Sequence, residues 1–207
     1  MYQISLFEYL MVSVAVILSW RVFQAGHPPP AASAEPPAAT KTDGVRPGTE
    51  AAAPAADEAA RLAETLQRLA EGSDDVTGLL EGAKQAYERI VQAYAGGDLA
   101  EHRQLLADPI RQAFEATLAE RRAHGASSSL TFIGFETAEI VAAGVDGTQG
   151  WMDVHFIADV VASTRDRDGK VITGHPARVT QTDELWTFER DLAAAPDWRL
   201  TATGAAG

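Results

Sequence analysis

The apolar pattern of this chain changes period once. From Asp57 to Gly125 the large apolar residues recur at helical spacing, and from Leu130 to Thr203 they alternate with polar ones. Helices followed by strands exclude a repeating strand–helix–strand chain and point to an α+β domain, with helices packed on one face of a curved four-stranded antiparallel sheet. Asp57 to Glu71 carries Leu62, Leu66 and Leu69 on one stripe and ends at Gly72. In a second helix, about Asp75 to Ala95, Leu79, Ala83, Tyr87, Ile90, Val91 and Tyr94 repeat at helical spacing, and Gly96-Gly97 stops it. Asp98 caps a short helix with Leu99, Leu105 and Leu106. Asp108 then stands as a cap directly before Pro109, ahead of the stripe Ile110, Phe114, Leu118.

The strands are read as Leu130 to Val145, Trp151 to Thr164, Val179 to Arg190 and Asp197 to Thr203. Asp168-Gly169 is a hairpin turn, after which Val171-Ile172 continue the pairing until His175-Pro176. In the second strand Met152, Val154, Phe156, Ala158 and Val160 share one face, with Asp153, His155 and Asp159 on the other. In the last, Trp198, Leu200 and Ala202 alternate.

Residues 1–26 form a separate unit. Ile4 to Phe23 is apolar enough and long enough to cross a hydrocarbon core of about 30 Å as a helix. Leu6, Leu10, Val14 and Ile17 give its lipid-facing bulk, Trp20 suits an interface and Arg21 closes the span. A cleaved signal peptide is the competing reading. It requires a positive leader and a small-x-small cleavage site, whereas no Lys or Arg precedes this run and Val22 to Gly26 is a poor site. The expectation is an uncleaved single-pass anchor. Arg21, Lys41 and Arg46 follow the span, which favours a cytoplasmic domain. Residues 27–56 hold Pro28, Pro29, Pro30, Pro36, Pro37, Pro47 and Pro54 among Ala, Thr and Gly, with no large apolar side chain to bury. This is a disordered, semi-extended tether to the domain at residues 57–207.

Charge narrows the partners. From Asp57 onward 25 Asp/Glu stand against 14 Lys/Arg, so nearly all of the chain's net charge of −12 lies on the domain. Such a surface repels phosphate backbones, so nucleic acid is not an expected partner. There is no cysteine, which removes thiolate metal sites and thiol nucleophiles. The five histidines show no metal-ligand spacing, and no phosphate loop, dinucleotide fingerprint or nucleophile elbow occurs. His155 with Asp153 and Asp159 is the one polar cluster that could do acid/base work, and a solvated sheet face is the preferred explanation of it. No catalytic, cofactor-binding or metal-ligating residue is therefore expected. The aromatic side chains offer more. Phe132, Phe156, Trp186 and Phe188, with Val154, are either ordinary core or the lining of a concave hydrophobic groove for a lipid tail or an apolar protein segment.

Gly82-Ala83-Lys84, Ala86-Tyr87, Ile90-Val91 and Gly97-Asp98, then Val154, Phe156, Ser163-Thr164-Arg165-Asp166 and Gly169, and finally Asp183, Trp186-Thr187-Phe188, Arg190-Asp191, Trp198 and Leu200 resemble the signature of the Tim-forty-four-like domain family. The similarity runs from about Gly78 to Thr203. It implies a nuclear-transport-factor-like cone fold and an adaptor or scaffold at a bacterial inner membrane. The protein partner would be a chaperone or translocase component, with lipid as a further partner, in protein translocation or membrane-protein assembly. The mitochondrial relative tethers a motor chaperone to a translocase and associates with cardiolipin-containing membrane; the family is not known for catalysis. Two other functions stay open on the residues alone: a periplasmic secretion-system scaffold, and an isomerase-like enzyme or small-ligand binder using the cone's pocket.

Overall fold

Proline is well suited to the first turn of a helix, and the first described helix begins that way. The computed structural model describes residues 53–70, 75–194 and 197–206. Helix α1 spans Ala53–Ala70, so it opens inside the stretch read as linker, with Pro54 in its first turn, where a missing amide donor does no harm. The rest of that linker and the expected anchor, with Leu6, Leu10, Val14, Ile17, Trp20 and Arg21, lie outside the described residues. Among the described residues no helix is long and apolar enough to cross a membrane.

Helix α2 covers Val76–Gly96 and α3 Asp108–Ala123, with a 3-10 turn over Ala100–Leu105 between them. Asp75 caps α2 by accepting from Gly78 N at 2.8 Å, and Gly97, at φ 86°, closes it in the left-handed conformation that a side chain resists. Asp98 accepts from Ala100 N at 2.8 Å at the head of the short turn. Asp108 differs from its expected role. The residue at the cap of α3 is Ala107, which makes no side-chain cap bond; Asp108 is already helical and pairs with Arg111 at 2.8 Å. Pro109 directly after it favours a helix start there in either case.

The strands are β1 (Ser127–Asp146), β2 (Gln149–Arg165), β3 (Val171–Gly174), β4 (Thr180–Asp191) and β5 (Arg199–Ala205). The sheet runs β1-β2-β4-β5 with antiparallel neighbours. It has five strands where four were expected, because the turn at Gly169 (φ 81°) folds β3 back onto the end of β2. β3 and β4 thus share one edge of β2, joined through Gly174 (φ 70°), where a Cβ would stand 2.2 Å from the Ala162 carbonyl oxygen.

Helices α2 and α3 cover one face of this sheet. The core joins Leu79, Tyr87 and Ile90 of α2 and Ile110 and Phe114 of α3 to Met152, Val154 and Phe156 of β2, Trp186 and Phe188 of β4, and Leu200 of β5. Alternation alone does not describe the edge strands. Register shifts between Phe132 and Gly134, Phe135 and Thr137, and Ile140 and Ala142 leave Ile133, Glu136 and Val141 without cross-strand partners. Each extra residue restores the inward aim of the next apolar side chain while putting the odd one outside; Ile133 is 56 % and Val141 44 % exposed. A shift in β5 likewise pairs Ala202 with Thr187 on the outer face, off the side on which Leu200 is buried.

Candidate functional site

The two faces of the sheet have opposite chemistry, and both were candidates for function. On the inner face, Val154 and Phe156 are fully buried, and Trp186 and Phe188 are 2 % and 1 % exposed. Tyr87 of α2 fills the space above them, its ring centroid 4.8 Å from that of Phe156 and 4.6 Å from that of Trp186. Phe132 is only partly buried and stands 6.2 Å from Tyr87. The five residues considered as groove walls are thus brought together. Four of them are sealed under α2 as core, and Phe132 alone reaches the margin. Here a helix with large side chains packs straight onto the pleat, so the concavity is occupied.

The inner face holds one polar group that the sequence reading passed over. Glu184 is buried in phase with Trp186 and Phe188. Tyr87 Oη donates to Glu184 Oε2 at 2.9 Å and lies 3.0 Å from Thr182 Oγ1. Burial pushes the Glu184 carboxyl up from its ordinary range and pushes the Tyr87 phenol up as well. Trp186 Nε1 lies near enough to act on this carboxyl in the lowering direction, yet forms no hydrogen bond of ordinary geometry. The signal was present in the sequence: the spacing Glu184, Trp186, Phe188, Arg190 puts both charges on the buried side of the strand.

Arg190 anchors α1. Its Nη2 donates to the Leu69 carbonyl at 2.6 Å, and its guanidinium stacks 5.0 Å from the Trp198 ring. Leu69 is fully buried over Gly150, where a Cβ would come within 2.7 Å of it. The helix read as docking on the domain or on a partner therefore docks its last turns on the domain, while residues 57–61 and 63–64 are exposed.

The outer face of the sheet has no helix over it among the described residues. His155 projects here, opposite in parity to Val154 and Phe156, as expected. Its Nε2 pairs with Asp183 Oδ1 at 2.7 Å and its Nδ1 lies 3.6 Å from Glu139 Oε1, so the imidazole bridges three adjacent strands. The Asp183 hydrogen bond raises its pKa above the ordinary value, with Glu139 adding to the effect. Asp153 accepts from Thr187 Oγ1 at 2.7 Å, and Gln181 reaches Glu136 across β2. Apolar side chains sit among these carboxylates. Trp151 lies across Gly144, where a Cβ would fall 2.5 Å from the indole, and Leu185 is paired with His155 in register. Among the described residues no group of three His, Asp or Glu converges as a metal site.

Comparison with known proteins places this architecture. Residues 64–205 match the family described as "Tim44-like domain". Among solved structures, the intermembrane space region of chloroplast protein ARC6 is similar at 13 % identity and a TM-score of 0.42, over 60 % of this chain and 94 % of that one. No curated protein sequence matches. The family match covers more than half of the chain and takes in its helices from mid-α1 onward and all five strands, so the chain belongs to the Tim44-like domain family.

Proposed function

We propose that this chain is a non-catalytic adaptor, tethered by residues 1–26 to a bacterial inner membrane, that holds a protein partner on the outer face of its sheet. The observation that carries this reading is the ring of Tyr87 seated on Phe156 and Trp186. It fills the concave side where a cone-shaped domain would take a small ligand, and leaves the uncovered sheet face as the broad surface for contact. Family membership supports a role in protein translocation or membrane-protein assembly, with a chaperone or translocase component as the partner. The acidic surface argues against anionic lipid as the principal one.

Affinity capture of the tagged full chain in mild detergent tests the proposal. The wild type is expected to retain a specific partner that a Leu185→Arg chain of unchanged circular dichroism loses. Recovery of no specific partner, or turnover of a substrate by the purified chain, would overturn it. Arg21, Lys41 and Arg46 behind the apolar run favour a cytoplasmic domain. A C-terminal alkaline phosphatase fusion should then be inactive, and an active fusion would move the domain to the periplasm.

A further inference from the structure

Resting on the adaptor reading, we propose that the outer sheet face around His155 and Leu185 docks a cationic, amphipathic segment of the partner. The face alternates two kinds of group at strand spacing. Carboxylates project from three adjacent strands: Glu139 on β1, Asp153 and Asp159 on β2, Asp183 and Glu189 on β4. Between them lie Trp151, Ile157 and Leu185, each held by the same pleat and each only partly covered. Several of the polar groups are already fixed. His155 holds Asp183 at 2.7 Å and Thr187 holds Asp153 at 2.7 Å, so a ligand would meet preset carboxylates with little ordering left to do.

Charge selects the occupant. A second copy set face to face would bring the acidic rows of both copies together, which repel at close range. The anionic surface of a membrane is repelled in the same way. A segment that alternates Lys or Arg with apolar residues meets both halves of the pattern: its cations reach the carboxylates and its apolar groups cover Trp151, Ile157 and Leu185. Arg199 is in register with Glu189 at the β5 side, so the negative field is strongest away from that margin, over β1 and β2.

The test uses the full chain in mild detergent and a short fluorescein-labelled peptide alternating Lys and Leu, followed by anisotropy. A counterpart with Glu in place of Lys is the control. The Lys peptide is expected to bind and the Glu peptide not. Replacing Glu139, Asp159 and Glu189 with their amides should weaken binding about tenfold. Replacing the helix-surface carboxylates Glu88, Glu101 and Glu120 with their amides removes the same charge and should leave the affinity nearly unchanged. Equal weakening by both sets, equal binding of both peptides, or self-association of the chain through Leu185 would overturn the inference. Partner capture that stays sensitive to Leu185→Arg while the peptides show no charge preference sinks the inference alone; absence of any capture sinks the adaptor reading beneath it.

Discussion

Glu184 shares its strand face with Trp186 and Phe188, so the pleat carries its carboxyl into the core beside Tyr87. Desolvation there favours the neutral acid, and the nearby Asp183 charge acts in the same direction, while the Tyr87 hydrogen bond and the neighbouring Trp186 indole work against them. A folded pKa above the unfolded one means that the protonated form stabilises the fold. That stabilisation is complete below the unfolded value of about 4.3 and is lost as pH rises through the folded value. Glu184→Gln keeps an acceptor for Tyr87 and has no charge to bury. Its thermal midpoint should exceed the wild-type value above neutral pH and converge with it near pH ~4. A lower midpoint for the variant in alkaline buffer would mean that the ionised form is the stabilised one. His155 also loses stabilisation as pH rises, since Asp183 and Glu139 hold its pKa up, but it is common to both proteins and cancels in the comparison.

At the scale of elements, α1 is held mainly by its last turns. Leu69 is fully buried and its carbonyl accepts from Arg190, whereas most of the helix before Thr65 is exposed. Leu69→Ala should therefore cost about 3 kcal/mol in urea unfolding, as for other buried leucines, and should speed amide exchange along α1. A loss below about 1 kcal/mol would show that the helix is not docked in solution. The sequence reached much of this level. The stripes Leu79 to Val91 and Ile110 to Leu118 are the buried faces of α2 and α3, because a helix period depends only on its own residues. The parity of β2 was equally legible, so His155 stands on the face expected of it. What could not be read is set by neighbours. The bulges that expose Ile133 and Val141 depend on register against β2. The filling of the groove beside Phe156 and Trp186 depends on which α2 side chain lands there, and a helical stripe names Tyr87 as buried without saying against what.

At the scale of the whole molecule, the described helices close one face of the sheet, and none of them covers the other. Among the described residues, the closed side holds nearly all of the aromatic bulk. The open side holds His155 among carboxylates, with Leu185 and Trp151 between them, and the chain as a whole is strongly acidic. On the proposed adaptor reading, the contact surface lies opposite the core. The most direct measurement is photo-crosslinking in living cells from a benzophenone side chain placed at Leu185, on the open face, and in parallel at Glu88, on the exposed side of α2. A discrete partner adduct is expected from Leu185 and none from Glu88. Adducts from Glu88 with none from Leu185 would put the partner on the helices and contradict it.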